Sequence, residues 1–499
     1  MNIKRAKQEI KDSIEAYLQK DETGHYLIPS VRQRPILLMG PPGIGKTQIM
    51  EQIARECGIG LVSYTITHHT RQSAVGLPFI REKEYGGRMY SVTEYTMSEI
   101  IASVYEKMEE TGLEEGILFL DEINCVSETL APTMLQFLQC KMFGNHKIPD
   151  GWIIVAAGNP PEYNKSVREF DIVTLDRLKR MDIEENYDVW REYAYQAQIA
   201  PVILAYLEIR KGHFYRIENT VDGMQFVTAR GWEDLSELLK AYERLGKRAD
   251  REVVHQYLQN WEVAKEFANY LELYEKYKKD YGLEKIVAGV YSEDVFEKLQ
   301  YAAFDERFSI VGMLNGKLSE YFRNYTTQDR LTELIFEKLK VYKENRNLDE
   351  TIETFGRQIR EKKRAQHLTR NQEYLEESAL EILETYRQKW KLQNVADDRC
   401  FEEEFAFIKE RFEEQVEKRE ETAHQTEEAL ENVFCFLEQV FGESQEMAAF
   451  VTELNTNGDS IRYLRENDCP YYYKYNKGLL FDERRKEILS KMEKIEKTC

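Results

Sequence analysis

The chain has 499 residues, 42% of them hydrophobic and 32% charged, with a net charge of −20. That length exceeds one ordinary core and predicts several domains, while the acidic balance excludes a broad basic surface for nucleic acid, a local basic loop aside. Seven cysteines without a CxxC pair exclude a zinc framework and a disulfide scaffold; with no apolar run long enough to span a bilayer, a cytoplasmic protein without membrane insertion is expected.

Ile3, Ile10, Ile14 and Leu18 stand at helical spacing in the opening segment. A strand is predicted at ILLM (36–39), then the stretch GPPGIGKT from Gly40 to Thr47, then a helix from Gln48 to Cys57 stopped by Gly58. LVSYTI (61–66) reads as the next strand, and Gly86-Gly87 inside 75–95 as the turn of a hairpin. TMSE (96–99) has the spacing of a capping box and opens a helix that ends at Gly112. ILFL (117–120) is a strand running into Asp121 and Glu122, a second hairpin is predicted at 140–151 around Gly144-Asn145, and WIIVAA (152–157) is a further strand. Short apolar runs alternating with helical patterns predict an αβα sandwich with a parallel sheet.

GPPGIGKT matches G-x-x-x-x-G-K-[ST] and stands between a strand and a helix, the context that phosphate binding requires. Glycines let backbone amides turn toward phosphate oxygens, and the helix N-terminus adds partial positive charge. The candidate nucleotide-binding residues are therefore Gly40, Pro41, Pro42, Gly43, Ile44, Gly45, Lys46, Thr47 and Gln48. Two carboxylates at the end of a buried strand need a positive partner. Asp121 with Thr47 would hold Mg²⁺, Lys46 would neutralise the β/γ-phosphates, and Glu122 would orient the attacking water. The guanine signature NKxD is absent, since NKSV (164–167) and NKGL (476–479) lack its aspartate, so ATP is the expected nucleotide.

Ten of 11 prolines lie at or before Pro201 and none falls between 202 and 469. Beyond about residue 184 the pattern predicts helix throughout. Leu348, Ile352, Phe355 and Ile359, and again Phe401, Phe405, Ile408 and Phe412, repeat at four, three, four, which predicts a coiled-coil-like helical hairpin packed on itself.

With these motifs in view, residues 1–260 resemble the AAA+ ATPases and, within them, the MoxR-like branch. GPPGIGKT resembles a Walker A motif and ILFLDEIN a Walker B. AAGNPPEYN (156–164) is similar to the sensor-1 strand, which implies that Asn159 contacts the γ-phosphate and the water. TLDRLKR (174–180) is similar to the segment that faces a neighbouring subunit, implying Arg177, or failing that Arg180, as the arginine finger. TARGWEDLSELL (228–239) resembles the sensor-2 helix start, implying that Arg230 reaches the γ-phosphate. The hairpins at 75–95 and 140–151 stand where this branch carries inserts facing a ring's pore. The resemblance implies an AAA+ core over 1–183 and a helical lid over 184–258; beyond it, with no family motif attached, the pattern predicts an all-helical region over 259–499. It also implies a hexameric homo-oligomer that remodels or matures a protein client with a separate von Willebrand factor A domain partner. A nucleic-acid motor (a helicase or restriction-system NTPase) and a nucleotide-switched scaffold are the competing functions.

Overall fold

The computed structural model describes residues 1–68, 74–163, 167, 170–220, 223–393 and 401–478. Asn164, part of the sensor-1-like stretch, lies outside them. The chain divides into two compact units, Met1–Val189 with Arg357–Glu373, and Trp190–Gly356 with Tyr374–Cys499.

In the first unit the strands are β1 (Ile36–Met39), β2 (Gly60–Thr65), β3 (Pro78–Tyr85), β4 (Arg88–Tyr95), β5 (Gly116–Asp121), β6 (Met142–Phe143), β7 (His146–Lys147), β8 (Trp152–Gly158) and β9 (Lys179–Asp182). Five of them form a sheet in the order β2-β5-β8-β1-β9, every pair parallel. Alternation along each strand sorts the core onto two faces. Ile36, Leu38, Ile117, Phe119, Ile153 and Val155 pack with Ile10 and Ile14 of the helix Ile3–Tyr17 and with Ile49, Met50 and Ile53 of the helix Lys46–Cys57. Leu37, Leu118, Leu120 and Ile154 face the other way, toward Ile100, Ile101 and Val104 of the helix Glu99–Thr111 and Met134, Phe137 and Leu138 of the helix Ala131–Cys140. The result is the expected αβα sandwich.

The fifth strand, β9, is absent from the sequence reading. It is an edge strand of four residues, KRMD, in which only Met181 is buried; so short a charged segment carries no alternation signal, and pairing to β1 alone makes it a strand. The capping box at 96–99 does not form. Thr96 Oγ1 instead accepts from Leu77 N at 2.8 Å, and Ser98, the residue preceding the helix, donates to Ala74 O at 2.5 Å. A tertiary donor and a tertiary acceptor outcompete the local cap.

Both hairpins are present as two-stranded sheets. Gly86 and Gly87 sit at φ 59° and 78°, the pair of positive values that a tight hairpin turn demands. His146 Nε2 lies 3.0 Å from Tyr95 O, so the two hairpins meet each other. Residues 357–373 also belong to this unit, where His367 Nε2 lies 3.1 Å from Ile59 O at the start of β2.

The second unit is mostly helical. Its largest core joins Ile310, Leu314, Leu318 and Phe322 of the helix Phe304–Asn345 to Leu430, Val433, Phe434 and Leu437 of the helix Phe401–Phe441. Asp329, 2% exposed, is compensated by Arg419 and Arg462, as a buried charge must be. The 401–412 seam lies along Phe304–Asn345, with Tyr342 edge-on to Phe401 and tilted against Phe405, and Phe336 stacked on Phe412. One departure from continuous helix is an antiparallel hairpin, Arg216–Thr220 with Gly223–Val227. Ile217, Thr220, Phe226 and Val227 supply β-branched and aromatic residues there, and Gly223 sits at φ 120°. Among the described residues no helix is long and apolar enough to cross a membrane.

Candidate active site

The site forms where β1, β5 and β8 end side by side, the crevice in which open parallel sheets bind ligands. Gly43 and Gly45 take φ 74° and 91°, conformations that L side chains resist. Gly40 is required for a different reason, since a Cβ there would come 2.7 Å from Ile183 O. The loop therefore delivers the helix Lys46–Cys57 with its N-terminus uncapped by any side chain.

Lys46 is 8% exposed, and its amine donates to Gly40 O and Pro41 O at 2.7 Å each and to Asn159 Oδ1 at 2.9 Å. All three acceptors are neutral, so phosphate oxygens would bind this ammonium more strongly. Thr47 Oγ1 donates to Asp121 Oδ2 at 3.0 Å, while Asp121 Oδ1 accepts from Glu122 N at 2.9 Å. Glu122 occupies φ 55°, a left-handed conformation uncommon for a side-chain-bearing residue. It leaves the strand sharply, and its Oε2 accepts from Thr67 Oγ1 at 2.8 Å. The two neighbouring acids thus point to different partners.

Two residues that the sequence reading did not single out complete the arrangement. Asn124, 2% exposed, donates from Nδ2 to Asn159 O at 2.8 Å and accepts from Asn159 N at 3.3 Å, which holds the end of β8 in place. Gly158 leaves room for it, because a Cβ there would come 2.6 Å from Asn124 Oδ1. Thr67, in the turn Ile66–His68 after β2, holds Glu122. The asparagine closing ILFLDEIN was a visible signal; the threonine had none.

The remaining predicted residues take no part in these hydrogen bonds. Arg177 is exposed in the turn before β9 and donates to Gln139 Oε1. Arg180 is in β9 and pairs with Asp182 at 2.8 Å. Arg230 is exposed in the first turn of the helix Ala229–Leu245, in the second unit. Gln48 follows Thr47 in the first helical turn.

The donor set fits Mg²⁺. One hydroxyl and one carboxylate, with the other positions left to phosphate and water, are the ligands this hard cation takes.

Residues 36–178 match the model of the ATPase family associated with various cellular activities (AAA). This segment is an AAA domain. It contains Lys46, Thr47, Asp121, Glu122 and Asn159, together with Arg177. The match supports nucleotide binding, with ATP as the nucleotide, by this segment as a P-loop domain of the AAA+ ATPase class. No curated protein matches the chain.

Proposed function

We propose that this chain is a subunit of a MoxR-like AAA+ ring that uses Mg²⁺-dependent ATP hydrolysis to remodel or mature a protein complex, together with a separate von Willebrand factor A domain protein. The observation that carries the hydrolytic part is a pair of hydrogen bonds from adjacent residues, Lys46 to Asn159 and Thr47 to Asp121, with Glu122 following directly.

In this reading Lys46 exchanges its carbonyl and amide acceptors for β/γ-phosphate oxygens, and Asn159 is released toward the γ-phosphate. Thr47 and Asp121 hold the metal. When bound, Mg²⁺ neutralises phosphate charge. Glu122, freed from Thr67, accepts a hydrogen bond from the attacking water and orients it. Arg177 serves the nucleotide of a neighbouring copy, and Arg230 is the sensor-2 contact to the γ-phosphate. Ile172 and Val173, 84% and 61% exposed close to Arg177 in sequence, suit burial against that neighbour. The hairpin β3–β4 favours the MoxR-like branch and a protein client. It exposes Ile80, Tyr85, Met89 and Tyr90 without a large basic field.

The test is affinity capture of Glu122→Gln with ATP and Mg²⁺ from source-cell extract. Removing the water-orienting carboxylate holds the ATP-bound assembly. Recovery of an oligomer with a von Willebrand factor A protein and a client is expected. Recovery of a nuclease or of DNA-bound proteins would overturn the remodelling role, and the absence of any nucleotide-dependent oligomer would overturn the ring.

A further inference from the structure

The hairpin β3–β4 is a sheet of two strands, an arrangement that is marginal in water unless a face is covered. Both of its faces carry exposed apolar side chains. Ile80 and Met89 are 76% and 61% exposed on one face, and Phe79, Tyr85 and Tyr90 are exposed on the other. The second hairpin meets it at Tyr95, at the base of β4.

Register decides what each face carries, because residues directly opposite in an antiparallel pair share a face. Phe79 is opposite Glu94, Arg81 opposite Val92, Lys83 opposite Tyr90 and Tyr85 opposite Arg88. This face therefore holds three cations, Arg81, Lys83 and Arg88, against one carboxylate, a net +2. Its side chains touch as the register requires. Tyr85 and Tyr90 lie with ring centroids 6.2 Å apart, and Glu94 pairs with Lys83 and, at 3.5 Å, with Arg81. The opposite face holds two carboxylates, Glu82 and Glu84, and no cation, a net −2, beside Ile80 and Met89. One hairpin thus presents a basic aromatic face and an acidic aliphatic face.

We propose that the hairpins of adjacent copies of this chain stack on each other, the basic face of one against the acidic face of the next. The two faces are equal and opposite in charge and each carries apolar side chains, so one hairpin supplies both halves of the contact. Opposite charges across it fix the register and reject the reversed pairing. A contact between two different patches runs head to tail, and it closes into a ring when the rotation permits. An acidic client or a nucleic acid would cover the basic face and leave Ile80 and Met89 in water; a second copy covers both faces. The inference rests on the ring reading and names a surface that holds the ring together. The turn at Gly86-Gly87 stays outside the contact, open to a client.

The experiment follows assembly of the full-length Glu122→Gln chain with ATP and Mg²⁺ by sedimentation velocity and adds two charge reversals to it. Arg81→Glu with Arg88→Glu makes the basic face acidic and leaves Lys83 on Glu94. Glu82→Lys with Glu84→Lys makes the acidic face basic. Each should raise the concentration needed for assembly at least about tenfold, because like charges then meet. An equimolar mixture of the two should assemble like the parent, since acidic and basic copies alternate, and that rescue shows both to be folded. Should the first variant melt early, the second decides alone, as its substitutions lie outside the Glu94 ion pairs. Assembly indifferent to both reversals, or a mixture of folded variants no better than its components, would overturn the hairpin contact and leave the ring standing. A parent that never assembles would overturn both. Intact assembly with lost binding of labelled single-stranded DNA in Arg81→Glu with Arg88→Glu would assign the basic face to nucleic acid instead.

Discussion

Asn159 Oδ1 accepts a hydrogen bond from Lys46 Nζ at 2.9 Å, which ties the end of β8 to the first turn of the phosphate-loop helix. A neutral acceptor lets the ammonium leave for a phosphate. A carboxylate in its place would form an ion pair that competes with the nucleotide. Asn159→Asp should therefore weaken ATP affinity by about tenfold or more, about 1.4 kcal/mol, with the fold unchanged. Titration with a fluorescent ATP analogue measures this, and unaltered affinity would mean that Lys46 does not turn to phosphate.

Gly158 and Asn124 predict a second outcome. Asn124 is buried and fixed by two bonds to Asn159, so it cannot yield to a methyl group 2.6 Å from its Oδ1. Gly158→Ala should cost about 1–3 kcal/mol of stability, as overpacking does, and should lower turnover because Asn159 shifts with Asn124. Calorimetry would show the lowered midpoint, and a steady-state ATPase assay the lost turnover. A variant with wild-type melting and turnover would show that the clamp has no role.

Arg177 and Arg180 can be separated because they are held differently. Arg180 is paired with Asp182 along β9, whereas Arg177 is exposed and bonded to a neutral glutamine. Arg177→Ala should reduce turnover about 10³-fold while still binding nucleotide, and Arg180→Ala should have little effect. Mixing Arg177→Ala with Lys46→Ala should restore part of the activity, because each subunit supplies what the other lacks. A mixture no more active than its components would argue against a finger acting in trans.

Glu453 predicts a pH dependence of stability in the second unit. Its carboxyl is raised from 4.5 to about 7 by burial, so between these values the folded chain holds a proton that the unfolded chain has lost. Stability from this group is complete below pH 4.5 and declines as pH rises to about 7, by up to about 3 kcal/mol. Glu453→Gln should flatten that slope and raise the melting midpoint at pH 8 relative to wild type. A wild-type midpoint that does not fall between pH 5 and 7.5 relative to the variant would count against a buried protonated carboxyl.

Much of the first unit was legible because its signals are local. Gly43 and Gly45 of the phosphate loop stand where φ is positive, and β1, β5 and β8 are short apolar runs between turns. The hairpin β3–β4 was visible in its Gly-Gly turn for the same reason. The hairpin Arg216–Thr220/Gly223–Val227 was missed because the surrounding helical periodicity masks two five-residue strands. The capping box failed because Leu77 and Ala74, far in sequence, offered its threonine and serine better partners.

By itself the sequence determined the αβα core and the presence of a phosphate loop, since both follow from residue type, backbone freedom and hydrophobic period. It also placed Asp121 and Glu122 at a strand end. Only the tertiary structure decided that Thr67 holds Glu122, that Asn124 positions Asn159, that β9 joins the sheet, and that residues 357–373 return to the first unit. Each of these is a contact between segments remote along the chain, set by how packed elements meet in space, and no local pattern encodes such a meeting.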